Sequence, residues 1–356
     1  MAYPSAMTPD QIADLVKDTQ ELIIKKGAYT NLMTDLTEFV GVNKLYKSHR
    51  KTFAGGIDWR FNLVMGHNNS ARFVSLFEND TANRPDNAVV GKVSPRFVEA
   101  SYVFDVREPV LNSGDSVQIV DFVKQKNAEM YMSFYELLEE AIWGTPTSST
   151  DTKTPYGVAY WVQKMANADA STYTKGGFRG LDPAIGARAG VSSATYSRWA
   201  NWAAQYTDIS KDDLVAKMRY ATRKINFKSP IALNEPTLGT GRAIFCGVDT
   251  ITKMEEILEA QNMNLGNDMA SKDGKTLFKG TPVEYVPALD ADTTAPIYML
   301  DFSTLALGMT AGWAEHVSAP QVVPNQHNTR QVFLDAGVNM ACTNLRNQAV
   351  IHKALA

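Results

Sequence analysis

The residue types best suited to chemistry, histidine and cysteine, are sparse in this chain. The five histidines stand singly: His49, His67, His316, His327 and His352. No two of them have the spacing of metal ligands, which favours surface positions or hydrogen-bonded core positions. Cys246 lies in an apolar run and Cys342 in an alternating one, a placement typical of buried structural thiols rather than nucleophiles.

Motifs that carry catalysis are missing as well. The sequence has no phosphate-binding Gly-x-x-x-x-Gly-Lys loop, no Gly-x-Ser-x-Gly elbow and no His-Glu-x-x-His pair. Gly239-Thr-Gly241 lacks a third glycine and precedes a strand pattern, so it indicates a turn. The adjacent pairs Glu139-Glu140 and Glu255-Glu256 point about 100° apart on a helix, which predicts solvated faces rather than acid–base dyads. We expect no catalytic residues, no cofactor and no metal.

Composition bounds the class of protein. The chain has 356 residues, of which 44% are hydrophobic and 21% charged, enough for a core and for two packed domains. Its net charge of −3 argues against a dedicated nucleic-acid-binding protein. No apolar run approaches the roughly 20 residues of a membrane helix, and no secretory signal follows Met1, so we expect no membrane association and a reducing compartment.

The first third of the chain predicts an arm and a long hairpin. Thr8 to Gly27 has the capping and periodicity of an amphipathic helix that docks on protein. Ile57 to Leu63 and Val98 to Val106 alternate with period two, and the polar stretch Glu78 to Asn87 lies between them. A lone two-stranded ribbon is marginal in water. Its apolar face therefore needs a cover, from the same chain or from a neighbouring copy.

The clearest element is a long helix from Asp115 to Trp143. Apolar residues recur at spacings of three and four, among them Phe122, Phe134, Leu137 and Leu138. At 1.5 Å per residue the helix is about 40 Å long and should cross most of the molecule. Gly144 ends it.

The remainder mixes strands and helices. We expect loops over 145–178, an irregular insertion over 179–209, and a helix that begins after Ser210 to Asp213. Buried strands are predicted at 242–247, 281–287 and 296–302, a helix at 250–262, and a long strand from 331 to 343. Charge is segregated: Lys211 to Lys228 holds six basic and two acidic residues, and Cys246 to Asp301 holds ten acidic and four basic ones.

The order of these elements resembles that of the tailed-phage major capsid proteins with the Hong Kong 97-type fold. Leu277 to Leu289, with its Lys-Gly-Thr-Pro-Val core, is similar to the "l-x-G-x-P-V" segment of such coat proteins. Ile297 to Leu305 is similar to their "i-y-f-x-D-f-s" strand. The resemblance extends over nearly the whole chain and lies in topology more than in signature residues.

The resemblance implies an α+β fold with five parts. These are an N-terminal arm (1–50), an E-loop hairpin (51–112), a P-domain with a spine helix (113–230, helix 115–143), an A-domain (231–325) and a return strand to the P-domain (326–356). It implies a structural protein that assembles in the host cytoplasm into an icosahedral shell, the virion capsid, around the genome. Because the sequence begins at Met1 with a short arm, a separate scaffold or scaffold-free assembly is implied.

The partners implied are other copies in hexameric and pentameric capsomers, with scaffolding, portal and decoration proteins, and packaged double-stranded DNA by non-specific proximity. Lys92 does not suggest a covalent cross-link, because it lies beyond the polar tip. Charged residues are the candidates for contacts between subunits: Arg60, Arg84, Lys92, Arg107, Lys217, Arg219, Arg223, Glu255, Glu256 and Asp290. The basic 211–228 and acidic 246–301 segments would pair across a subunit boundary, or else be solvated faces of one chain.

Two other functions stay open. An encapsulin-type nanocompartment shell shares the fold but encloses cargo enzymes. A two-domain α/β enzyme would need an acidic and histidine cluster that forms only in three dimensions. Particle formation separates the shells from the enzyme.

Overall fold

The structure is a computed structural model, and it describes residues 34–66, 71–76, 79, 87–107, 116–181, 187–226, 237–262 and 276–355. The helix predicted from Thr8 to Gly27 and most of the polar tip from Glu78 to Asn87 lie outside the described residues.

Six α- or π-helices, two short 3-10 helices (Pro287–Leu289 and Leu345–Asn347) and fifteen strands are described. The helices are α1 (Val42–Ser48, a π-helix), α2 (Ser116–Trp143), α3 (Val158–Trp161), α4 (Asn167–Thr172), α5 (Leu214–Ile225) and α6 (Val248–Asn262). The strands are β1 (Arg50–Phe53), β2 (Trp59–Val64), β3 (Ala88–Val93), β4 (Arg96–Asp105), β5 (Gly177–Gly180), β6 (Asn201–Gln205), β7 (Arg242–Cys246), β8 (Leu277–Phe278), β9 (Thr281–Tyr285), β10 (Ile297–Asp301), β11 (Leu305–Thr310), β12 (His316–Val317), β13 (Gln321–Val323), β14 (Gln326–Cys342) and β15 (Ala349–His352).

A seven-stranded sheet has the order β5-β6-β15-β10-β7-β9-β8. Its central strands are apolar on both faces, because helices or other segments cover both. The α5 face, with Leu214, Met218 and Ala221, packs with Ile244 on one side. On the other side the Trp143 ring of α2 meets Phe245 edge to face at 5.0 Å. The predicted strands in this region and the helix after Asp213 are confirmed.

A six-stranded sheet is organised around β14. This strand pairs antiparallel with β4 over ten residues and with β11 at its other end, while β12 and β13 pair along its first half. Parallel to β11 runs β1. Helix α2 packs on this part of the core through Met130, Phe134 and Leu138, which are buried. The long predicted helix is confirmed, but Leu137 is 51% exposed and does not belong to the buried stripe.

The hairpin differs from the prediction in its second strand. Trp59 to Val64 pairs with Ala88 to Val93, whereas 96–105 pairs with β14. The β3 sequence, Ala88-Val-Val-Gly-Lys-Val93, does not alternate, so the period-two pattern favours β4 as the second strand. The Trp59, Leu63 and Val93 side chains are buried in the core of the same chain. At its base, therefore, the hairpin does not need a neighbour to cover it.

The insertion predicted over 179–209 is wrong at its end. Asn201 to Gln205 forms β6, which pairs with β5 and with β15 inside the seven-stranded sheet. Trp202, Ala203 and Ala204 are all buried. A strand that is covered on both faces shows no polar–apolar alternation, and small residues there have the composition of a loop.

The sheets divide the chain differently from the predicted ranges. The seven-stranded sheet combines β5 and β6, from the predicted 113–230 range, with β7 to β10 and with β15. The six-stranded sheet includes β11, β12 and β13, which lie within the predicted 231–325 range and pair with β14 of the predicted 326–356 range. The boundaries predicted at 230 and 325 therefore separate strands that pair with each other.

Candidate assembly surfaces

Glu139, predicted to lie on a solvated face, is buried. Its Oε1 accepts hydrogen bonds from Gly41 N–H and from Trp143 Nε1–H, both at 2.8 Å, and its Oε2 accepts one from Val42 N–H at 2.7 Å. Burial raises the pKa of this carboxyl group, and the three donors act against that rise. The adjacent Glu140 is exposed, as predicted. Glu139 thus connects the end of α2 to the segment that leads into α1.

Helix α1 is held on α2 by aromatic contacts. The Tyr46 ring meets Phe134 and Tyr135 edge to face, both at 6.3 Å. The Tyr46 hydroxyl donates a hydrogen bond to the carbonyl oxygen of Ala314 at 2.6 Å. Burial raises the pKa of this hydroxyl group. These contacts hold α1 against α2.

Arg188 is a buried cation whose acceptors are all neutral. Its guanidinium donates to the carbonyl oxygens of Trp161, Gly180 and Trp199 and to Asn201 Oδ1 at 2.8–3.1 Å. Burial lowers its pKa to about 10. The side chain connects three segments of the chain, at Trp161, at Gly180 and at 199–201, which indicates a structural role.

His352, at the end of β15, is also buried. Its Nε2 accepts a hydrogen bond from Met165 N–H at 2.9 Å, so Nδ1 carries the proton and donates to the carbonyl oxygen of Lys353 at 2.6 Å. Burial lowers the pKa of this imidazole to about 4. His49 stacks on Phe302 with ring centroids 4.1 Å apart.

The thiols behave as predicted. Cys246 and Cys342 are buried and free, and burial raises the pKa of each to about 12. Within the described ranges, no three histidine, cysteine, aspartate or glutamate side chains gather into a possible metal site. No helix in the described part of the chain is both long and apolar enough to span a bilayer.

The structure brings together two of the predicted contact residues on the hairpin. Arg60 on β2 stands directly opposite Lys92 on β3, and both side chains are exposed. Arg60 Nη2 lies 4.0 Å from a carboxylate oxygen of Asp58. Arg84 lies outside the described residues.

Arg107 is engaged locally. Its Nη2 and Nε donate to the two carboxylate oxygens of Asp105 at 2.8 and 3.1 Å, and these bonds lower the pKa of Asp105 to about 2. Because the pair is exposed, it contributes little to stability.

The basic helix α5 and the acidic helix α6 are neighbours in one chain. Both border a depression of about 120 Å³ that Lys211, Arg219 and Ile257 help to line. Lys217 forms an ion pair with Asp213 within the first turn of α5, and Arg219 and Arg223 are exposed. Pairing of the two charged segments between copies stays a prediction.

The acidic candidates make contacts within the chain. Glu255 accepts a hydrogen bond from Thr276 Oγ1 at 3.2 Å, and Glu256 pairs with Lys253 at 2.7 Å. Asp290 accepts hydrogen bonds from Val248 N–H at 2.8 Å and from the Tyr285 hydroxyl at 2.6 Å. The bond from Val248 caps the first turn of α6. The first role of Asp290 is therefore to stabilise this helix.

Apolar side chains are exposed along the hairpin. Val64 at the end of β2 is 80% exposed, and Leu76 farther along the chain is 90% exposed. Phe73 and Val74, which lie between them, are also exposed. Scattered single apolar residues are normal on a surface, but several within one short segment form a candidate interaction surface. Sequence alternation alone does not separate these residues from those buried at the base.

Comparison with known proteins gives a full-length structural match. The capsid of cyanophage A-1(L) aligns with a TM-score of 0.60 and 14% identity, over 93% of this chain and 97% of that chain. The capsid of the empty GTA particle aligns with a TM-score of 0.58 and 12% identity, over 99% and 100%. This chain has the capsid-protein fold. No protein-family model and no curated sequence matches it.

An encapsulin shares the capsid-protein fold. The SrpI encapsulin of Synechococcus elongatus PCC 7942 aligns with a TM-score of 0.52 and 13% identity, over 96% of this chain and 95% of that chain. Identities at this level establish the α+β capsid-protein fold.

Proposed function

We propose that this chain is the major capsid protein of a tailed phage, a structural subunit that self-assembles into the icosahedral shell around the genome. The observation that carries the proposal is the match with the cyanophage capsid subunit over nearly all of both chains. The TM-score of this alignment, 0.60, is higher than the 0.52 of the encapsulin alignment.

In this proposal each part of the fold has a task. Helix α2 is the spine, and the six-stranded sheet that it supports forms the P-domain. The seven-stranded sheet, with α5 and α6, forms the A-domain. The β2–β3 hairpin is the base of the E-loop, and the residues before 40 belong to the N-terminal arm. This assignment follows strand pairing and replaces the boundaries predicted from sequence.

The exposed hairpin residues support a role in assembly. Val64, Phe73, Val74 and Leu76 are exposed on an element whose base is anchored in its own core by Trp59. Burying each such side chain contributes about 1.5 to 3 kcal/mol, so covering them by a neighbour favours association. A rigid base and an apolar outer part suit a clamp between copies.

The proposal names the following partners and location. Copies associate into hexameric and pentameric capsomers, with a separate scaffolding protein or without any scaffold, and with portal and decoration proteins. Packaged double-stranded DNA is near the shell without specific contacts, in keeping with the net charge of −3. Assembly takes place in the host cytoplasm, and the product is the virion capsid.

An encapsulin-type shell is the second candidate, because the SrpI encapsulin aligns over nearly the same share of the chain. Both candidates are shells and differ in content. A particle of this chain that carries one enzyme as constant cargo would favour the encapsulin function.

The test is to express the full chain alone and to examine it by velocity sedimentation and negative-stain microscopy. We expect closed shells, or flat hexameric and pentameric capsomers. A discrete small oligomer with no particles across protein concentration and salt would overturn the shell function. Mass spectrometry of purified particles then distinguishes an empty or nucleic-acid-filled shell from one with protein cargo.

A further inference from the structure

Basic residues are concentrated at the β5 end of the seven-stranded sheet. Four described segments meet there, because β5 pairs with β6, and both α5 and the 3-10 helix Leu345–Asn347 contact β6. The segments 170–181, 187–207, 214–226 and 343–348 contain no acidic residue. They contain nine basic ones: Lys175, Arg179, Arg188, Arg198, Lys217, Arg219, Arg223, Lys224 and Arg346. The net charge of −3 for the whole chain therefore conceals a strongly positive end of this sheet.

Two of these cations lie over aromatic rings on the α5 side of the sheet. The guanidinium carbon of Arg346 is 3.9 Å from the centroid of the Phe178 ring, and Lys175 Nζ is 5.5 Å from the centroid of the Tyr220 ring on α5. Phe178 packs against the apolar cluster that α5 covers, so both pairs are on the same side. An aromatic face attracts a cation without using its N–H groups, which stay available to an outside acceptor.

Lys175, Lys224 and Arg346 have no carboxylate partner among the residues that the structure describes. Both lysines are exposed, and Arg346 is half-buried. Lys224 is one helical turn beyond Tyr220, so it is next to the ring over which Lys175 lies. Contacts within the chain engage three of the other cations: Arg188 in the core, Lys217 with Asp213, and Arg179 with the Tyr173 hydroxyl.

The position of Arg346 is electrostatically unfavourable in the isolated chain. Burial lowers the pKa of its guanidinium, and the charge of the nearby Arg198 lowers it further. An anion bound beside Arg346 would favour its charged form and reduce its repulsion with Arg198. The arrangement therefore gains stability from an anionic partner.

The exposed surface of this end is suited to nucleic acid rather than to protein. Tyr220 is the one large hydrophobic residue exposed in the described parts of the four segments, and Lys175 lies over its ring. Protein interfaces have a core from which charged residues are depleted, whereas interfaces with nucleic acid are polar and strongly positive. Because cations lie over Phe178 and Tyr220, these rings are poor platforms for stacked bases, which favours contact with the phosphates of a duplex.

We propose that Lys175, Lys224 and Arg346 bind the phosphate backbone of double-stranded DNA, in contacts that carry no sequence information. This inference rests on the proposed function and assigns one surface of the subunit to contact with the packaged genome. Each neutralised phosphate adds about 0.9 to the slope of log affinity against log salt concentration. Three contacts therefore predict a loss of roughly 40-fold in affinity between 50 and 200 mM salt.

Fluorescence anisotropy of a short labelled duplex of arbitrary sequence, titrated with soluble full-length subunit, measures this binding. The variant Lys175→Gln/Lys224→Gln should weaken binding at 50 mM salt by about tenfold or more and reduce the salt slope by about 2. Adding Arg346→Gln should reduce the slope by about one more. A duplex of unrelated sequence should give the same affinities, because the contacts are with phosphate.

A matched control separates the effect of this surface from that of net charge. Lys51→Gln/Lys153→Gln removes the same two charges at exposed lysines outside the four segments, and it should bind the duplex like the wild type. Circular dichroism verifies the fold of every variant. If the variant with Arg346→Gln is unfolded, the lysine variant still tests the proposal, because both of its positions are exposed.

The outcomes separate this inference from the shell function. A wild type that forms particles but does not bind the duplex at 50 mM salt, or a lysine variant that binds it as the control does, overturns the DNA contact and leaves the shell function intact. Tighter binding to poly-glutamate than to the duplex would assign the surface to an acidic protein and also overturn the DNA contact. A wild type that binds the duplex through these residues but forms no particles overturns the shell function, and with it the contact with a packaged genome.

Discussion

The Val42 N–H donates a 2.7 Å hydrogen bond to Oε2 of Glu139, although 97 residues separate the two in the sequence. This bond, with those from Gly41 and Trp143, connects the last turns of α2 to the start of α1. The position of residues 41–42 on α2 is therefore fixed by a buried carboxylate rather than by apolar packing alone.

Replacing Glu139 with alanine should destabilise the subunit by about 3 to 5 kcal/mol, because three buried donors lose their acceptor and each costs about 1 to 3 kcal/mol. Urea unfolding of soluble subunit measures this loss. The control is Glu140→Ala, at the exposed neighbour, which should change stability by less than about 0.5 kcal/mol. Equal effects of the two variants would contradict the buried role of Glu139.

Phe134→Ala should cost about 3 to 5 kcal/mol, since the ring is buried between α1 and the core of the six-stranded sheet. Leu137→Ala, on the exposed side of the same helix, should cost far less. A denaturant titration of both variants gives the comparison, and a loss below about 1 kcal/mol for Phe134 would reject its place in the core.

Arg188→Lys should be destabilising by about 3 kcal/mol even though the charge is kept. The guanidinium reaches four acceptors in one plane, and a lysine ammonium has three donors on a flexible stem, so carbonyl groups at the sheet end lose their partners. Thermal unfolding tests this, with exposed Arg219→Lys as the matched change. A stable lysine variant would show that the fork geometry is dispensable.

Lowering the pH should reduce the stability of the folded subunit, because His352 is buried as a neutral imidazole. Its folded pKa of about 4 lies below the ordinary 6.5, so its contribution to stability is present above pH 6.5 and is lost as the pH falls through 4. The full loss is about 3 kcal/mol. His352→Asn should remove this part of the pH dependence, as measured by urea midpoints between pH 7.5 and 4. Identical pH profiles for the two proteins would contradict the assignment.

Shortening the hairpin should spare the fold and impair assembly. Met65 N–H donates to the carbonyl oxygen of Asn87 at 2.9 Å, so an Asn-Gly turn in place of residues 67–86 can join the strand ends. The cut stops before β3 because Val93 is buried. Circular dichroism and melting should be unchanged, whereas sedimentation should show few or fragile shells. Normal shells would exclude this loop as a clamp, and unfolding would place it in the core.

Local pattern is enough to predict much of the fold. The long helix, the buried strands at Arg242 and Ile297 and the late β14 strand have periods or apolar runs that few other structures explain. Local pattern does not predict which strands pair: β3 lacks the alternation that β4 shows, and β4 pairs with a strand more than 220 residues away. The β6 strand escapes prediction because Trp202 to Ala204 are covered on both faces and show no alternation.

The site is harder to predict than the fold. Arg60 and Lys92 are candidates because of their charge, but their register appears only once β2 and β3 are paired. Glu139 is expected in solvent because its partners, Gly41 and Val42, come from a distant segment.

The ten-residue pairing of β4 with β14 also delays the folding of β4 until late in synthesis. Arg96 pairs with Val338 and Asp105 pairs with Thr329. The backbone groups of β4 that form these pairs therefore have no partner until β14 has been synthesised. A ribosome adds about 5 to 20 residues per second, so the interval is on the order of 10 to 50 seconds. During that time the emerging chain carries an unpaired strand that other nascent chains on the same message can reach. The late position of β14 therefore makes the final tenth of translation the step that commits the subunit to its native sheet.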